Sequence, residues 1–114
     1  MGLLMPPIDF NGLDTAVHGP IRLGVMTGLY MDGPLDFTSL KKRLKASDGA
    51  LGQHLLTLEQ VGYIDAAKSF VGRRPKTTYR ITDAGKQAFR QYLEAMRQLL
   101  DAVGQPSSRE ESNG

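Results

Sequence analysis

Apolar residues recur along this chain with two different periods. Between 20 and 32, Ile21, Val25 and Leu29, joined by Met26, form one stripe; Pro20 suits a helix's first turn, and Gly33 with Pro34 stops the run. This predicts a first core helix. In "FTSLKKRLKAS", Leu40 and Leu44 share one face and Lys41, Lys42, Arg43 and Lys45 take the other, with Thr38 as the expected N-cap. Ser47 is the N-cap expected for the following helix, in which Leu51, Leu55 and Leu58 repeat at helical spacing until Gly62 closes it. Two helices meeting at so tight a corner match a helix-turn-helix.

The period then becomes extended. "YIDAAKSFV" and "TTYRIT" read as strands, and the intervening "GRRPK" as a hairpin loop with Gly72 and Pro75 as its turn residues. Thr82 and Asp83 open a last helix of about twenty residues, on which Phe89, Leu93, Met96, Leu100 and Val103 alternate four and three apart while Tyr92 and Leu99 widen the face. A helix this apolar needs partners. Part of the face is expected against Ile21, Val25 and Leu29, and the remainder on a second copy of the chain. The tail 104–114 has no apolar anchor and is expected to be disordered. Residues 1–18 are expected as an arm or short helix, with Ile8 and Phe10 as candidate dimer contacts, and 19–103 as the folded domain. The class is mainly α with a small β-hairpin, an α+β chain.

Composition narrows the chemistry. A chain of 114 residues, 40% hydrophobic, suits one domain with a core of its own. It has no cysteine, which rules out disulfides and thiolate metal sites, and no apolar run near the ~20 residues a membrane helix needs. A cytoplasmic location is the default expectation. The net charge of +2 conceals an asymmetry: residues 41–80 hold nine Lys and Arg against Asp48, Glu59 and Asp65, a net +6 that leaves −4 for the rest. Such a field draws a polyanion to one face, although a run such as "KKRLK" is by itself an ordinary solvated helix face.

The chain also resembles a family. "LDFTSLKKRLKASDGALGQHLLTLEQVGYI", "GRRPKTTYRIT" and "TDAGKQAF" are similar in order and spacing to winged helix-turn-helix transcriptional regulators of the MarR/ArsR-like kind, and to their small stand-alone DNA-binding members. Within them, "HLLTLEQVGYI" resembles the pattern HLxxLExxGxI and "TTYRITDAG" the pattern TxYxLTxxG. The resemblance spans residues 19–100 and implies a winged helix-turn-helix with a long C-terminal dimerisation helix. It departs at Gly52, where many members carry a small hydroxyl residue. Gly49 and Gly52 together cost roughly 1 to 2 kcal/mol of helix propensity.

The resemblance gives the residues expected roles. With Leu51, Leu55 and Leu58 inward, a recognition helix would present Ser47, Asp48, Gly49, Gln53, His54, Thr57 and also Gln60 to a major groove; Gln53 can pair with adenine, and His54 with guanine or phosphate. The bland alternatives are surface polarity and, for His54, stacking on a neighbouring helix. Arg73, Arg74 and Lys76, stiffened by Pro75, would form the wing in a minor groove or against phosphates. Lys68 and Arg80 would reach flanking phosphates, and Thr77 and Thr78 would donate hydroxyls, one of them being expected merely to fill a strand position. Thr38, Lys41, Lys42 and Lys45 would meet phosphates from the preceding helix. Phe89, Tyr92, Leu93, Met96, Leu99, Leu100 and Val103 would form the dimer interface.

Enzymatic signals are missing. The sequence has no nucleophile with a paired base, no phosphate loop ending in Lys-Ser/Thr, and no acid or histidine cluster at metal spacing; His18 stands alone. The expectation is a sequence-specific regulator, acting as a homodimer on a palindromic duplex site, with no enzyme activity, cofactor or metal and no membrane contact. A winged helix that binds an acidic protein and reads no DNA is the alternative. No separate sensor domain or dedicated pocket stands out, so an effector stays open, as do the operator sequence and the sign of regulation.

Overall fold

The computed structural model describes residues 13–113, and the side chains of 13–104. The elements follow as α1 (Pro20–Asp32), β1 (Leu35–Asp36), α2 (Phe37–Leu44), α3 (Asp48–Gln60), β2 (Ile64–Val71), β3 (Arg74–Ile81) and α4 (Asp83–Asn113). In α1, Pro20 occupies the first turn, Val25, Met26 and Leu29 are buried, and Gly33 donates its N–H to Leu29 O at 3.1 Å just past the helix end. Ile21 is only partly buried. At Gly24 a Cβ would collide with the Leu44 side chain, so the missing side chain lets α1 and α2 lie close together.

Asp36 caps α2; Thr38, the residue expected there, lies inside its first turn. The Asp36 carboxylate accepts from Ser39 N at 2.9 Å, and the Ser39 hydrogen bonds hold its pKa below the usual carboxylate value. Because Asp36 also ends β1, strand passes into helix with no loop, which places the cap two residues earlier than the lysine-rich pattern suggests. Lys45 then adopts a left-handed backbone (φ 52°) that ends α2, and Ser47 Oγ accepts from Ala50 N at 3.2 Å to start α3. Gly62, at φ 84°, turns the chain out of α3 as expected.

The sheet is antiparallel, in the order β1-β3-β2. Two residues, Leu35 opposite Tyr79 and Asp36 opposite Thr78, are too short for any alternation to announce β1 in the sequence. β3 starts at Arg74, so the hairpin turn is Gly72 and Arg73 alone, with Gly72 at φ 67°. Pro75 is therefore no loop stiffener. It stands in the ladder opposite Phe70, where β1 does not reach and the outer edge of β3 is free, a position that tolerates a missing N–H.

Thr82 fastens the wing to α4. Its hydroxyl donates to Gly62 O at 2.7 Å and accepts from Gly85 N at 3.0 Å, and its own N–H reaches Tyr63 O at 3.0 Å. α4 runs unbroken to Asn113, so 104–113, expected as a disordered tail beginning past Val103, is helical instead. Gly104 and Pro106 are poor helix formers, and Pro106 has no N–H to donate back to the Ala102 carbonyl, so local propensity gives no signal of this extension.

One apolar cluster joins all four helices and the sheet, and includes Val25, Leu29, Leu40, Leu51, Leu55, Leu58, Ile64, Tyr79, Phe89 and Tyr92. Residues 13–18, expected to precede the domain, are part of it. Val17 is fully buried, Asp14 accepts from Ala16 N at 2.8 Å and from the Tyr63 hydroxyl, and His18 Nδ1 lies 2.8 Å from the Tyr92 hydroxyl. Ile8 and Phe10 lie outside the described residues.

Candidate nucleic-acid interface

The three leucines of α3 turn inward as their spacing requires, each essentially without solvent contact. At about 100° per residue, the face directly opposite carries Gly49, Gln53, Leu56, Thr57 and Gln60. Gln53 and Gln60 are exposed, and among the described residues neither amide has a partner, so both could address a base edge. Thr57 is half-buried, and its hydroxyl donates to Gln53 O at 3.1 Å, so it can only accept from a partner. His54 is half-buried on the flank. Asp48 is engaged with Lys41 at 2.8 Å, which leaves both less free than expected. Ser47 spends its hydroxyl oxygen on capping. Leu56, 46% exposed, was not among the expected contacts, although its position one residue beyond Leu55 already turned it outward.

Strand alternation sorts the wing into two faces. Tyr79 and Ile81 point into the core, so Thr77 and Pro75 share their side, while Arg74, Lys76, Thr78 and Arg80 share the other. Across the ladder, Lys68 opposes Thr77 and Phe70 opposes Pro75, which separates Lys68 from the arginines. Arg73, in the turn, and Arg74 have no carboxylate partner among the described residues, whereas Lys76 lies 4.0 Å from Asp36. Phe70 and Val71 are 72% and 61% exposed beside the turn.

On α2, Thr38, Lys42 and Lys45 are exposed, and Arg43 is drawn to Asp32 of α1. The expected α4 interface divides. Phe89 and Tyr92 are buried in the domain's own core with Ala88 and Ala95, and Tyr30 stacks on Phe89 at 5.0 Å between centroids. They are therefore not dimer surface, because the short α1 and the sheet need that half of the face to close the core. Met96 and Leu99 are half-buried, and Leu93, Leu100 and Val103 are 46%, 64% and 68% exposed.

Between the end of α1, β3 and the start of α4, a surface pocket of about 400 Å³ is lined by Leu29, Tyr30, Gly33, Pro34, Arg80, Ile81 and Lys86, where the sequence suggested none. Among the described residues, no group of three or more His, Asp or Glu stands close enough to hold a metal, and no helix is long and apolar enough to cross a membrane.

A helix with a largely polar open face, reached through a tight corner and followed by a cationic hairpin, defines a winged helix-turn-helix. The chain belongs to the winged helix DNA-binding domain family, whose model matches residues 21–100. An uncharacterized protein of Methanocaldococcus jannaschii is 35% identical over 79 residues, 69% of this chain and 86% of that protein. A transcriptional regulator homologue protein from Pyrococcus horikoshii OT3 superposes with a TM-score of 0.74 at 26% identity, over 82% of this chain and 93% of that one. The PcaV transcriptional regulator from Streptomyces coelicolor, solved with its natural ligand, shares the fold at 18% identity and a TM-score of 0.68, over 85% of this chain and 68% of that one.

Proposed function

We propose that the chain binds a palindromic duplex sequence as a homodimer and regulates transcription from it, without a catalytic step of its own. The observation that carries this reading is the pair Arg73 and Arg74, without a carboxylate partner among the described residues, at the tip of a hairpin in a DNA-binding fold. Guanidinium groups there can neutralise phosphates or enter a minor groove, while Gln53 and Gln60 of α3 address base edges. Lys42 and Lys45 add phosphate contacts ahead of α3. A cytoplasmic location goes with this role.

Leu93, Met96, Leu100 and Val103 support the homodimer. They follow one another three, four and three residues apart, the spacing of a seam between helices, with Leu93, Leu100 and Val103 exposed and Met96 half-buried against the domain's own core. A twofold pair would set two copies of α3 toward successive turns of one groove, about 34 Å apart.

Titration into labelled duplex DNA across a salt series, followed by anisotropy, tests the reading. Affinity should fall with a log-log slope of about −4 to −8, as several phosphates are neutralised per dimer. Binding that is absent at low salt overturns it. The exposed Phe70 and Val71 favour a second reading, in which the hairpin docks an acidic protein; that result would direct attention there.

A further inference from the structure

The exposed face of α3 is polar except at one point. Leu56 lies toward one margin of that face, 46% exposed, with Gln53 one turn before it and Gln60 one turn after it. Gly49 and Gly52 on the preceding turns carry no side chain, and nothing lies within 4 Å of where a Cβ would stand at either. The two glycines therefore put no side chain of their own between Leu56 and a surface laid against α3. A lone exposed leucine needs no explanation on an arbitrary surface. This one lies on the α3 face turned away from the core, beside the two glutamines.

A major groove offers few apolar counterparts. Each base edge presents hydrogen-bonding atoms, and the one apolar group among them is the C5-methyl of thymine. A glutamine on either side can take the N6 and N7 atoms of adenine. An apolar side chain flanked by two amides thus matches a run of A·T pairs.

We propose that Leu56 reads the C5-methyl group of a thymine in each half-site, so that the recognised sequence is specified in part by a methyl contact and not by hydrogen bonds alone. This rests on the duplex-binding reading above.

Deoxyuridine separates the two. A duplex selected from a randomised pool is remade with each thymine replaced in turn by deoxyuridine, which keeps every hydrogen-bonding group and removes only the methyl. Wild-type protein should lose about three- to tenfold in affinity at one thymine per half-site, the scale of a methyl-sized apolar contact. Leu56→Ala should lose a similar factor on the thymine duplex and show no further loss with deoxyuridine at that position, whereas Leu56→Met should keep the sensitivity. With its side chain nearly half exposed, Leu56→Ala should stay folded, with a thermal midpoint only a few degrees below wild type. A selected half-site without thymine, indifference of the wild type to every replacement, or an undiminished deoxyuridine effect in Leu56→Ala overturns the methyl contact and leaves duplex binding intact. Failure to bind any duplex overturns both.

Discussion

Gly85 packs directly on the backbone of Tyr63: a Cβ on Gly85 would overlap the Tyr63 carbonyl oxygen and stand 2.9 Å from Ile81 Cγ1. The same carbonyl accepts from Thr82 N, so it cannot move aside without releasing the wing's anchor. Gly85→Ala should therefore destabilise the fold by about 2 to 3 kcal/mol, lowering the thermal midpoint by roughly 10 to 20 °C. An unchanged midpoint in calorimetry would mean that the turn from β3 into α4 yields freely.

The N-cap of α2 makes stability depend on pH. Hydrogen bonds from Ser39 lower the Asp36 pKa from 3.8, so its stabilisation is complete above that value and is lost as pH falls through the folded-state pKa. Asp36→Ala should cost about 1 kcal/mol at neutral pH, and the gap between variant and wild type in urea unfolding should narrow below pH ~4. A gap constant with pH would show that the carboxylate charge is irrelevant to the cap.

Arg73 and Arg74 carry the proposed phosphate contacts. Arg74→Ala should weaken binding to all duplexes alike and reduce the salt slope by about 1. A change confined to base preference would reassign Arg74 to a base edge.

Asp48 stands at the leading end of α3 and holds Lys41 at 2.8 Å, and in the proposed complex its charge would face DNA. Asp48→Ala should free the ammonium and remove a repelling charge. Nonspecific affinity should rise severalfold, with a salt slope steeper by about 1; a fall in affinity would mean that Asp48 itself contacts a base.

On α4, exposure separates assembly from folding. Leu93→Glu should yield a folded monomer in sedimentation, whereas Phe89→Ala should lose about 3 to 5 kcal/mol of stability from the core. A persistent Leu93→Glu dimer would move the interface elsewhere.

These outcomes bear on what the sequence disclosed. Leucine spacing was sufficient to orient α3, and Ser47 and Gly62 marked its ends, because such signals are local. The division of the α4 face was not legible, since Phe89 and Leu93 follow one repeat and only the distance of each from α1 decides which is buried. Leu56, being apolar, carries no mark of an outward role in the sequence, and β1 is too short to show alternation. Pro75 reads as a turn residue in the sequence because the free edge that admits it exists only once β1 is in place.

The segment before α1 sets a practical boundary. With Val17 wedged in the core, Asp14 bound to Tyr63 and His18 beside Tyr92, a recombinant fragment starting at Gly19 would expose the apolar seat of Val17 and strip two tyrosine hydroxyls of their partners. The packed unit of this protein therefore takes in the chain from Asp14 on, earlier than the winged helix alone would suggest.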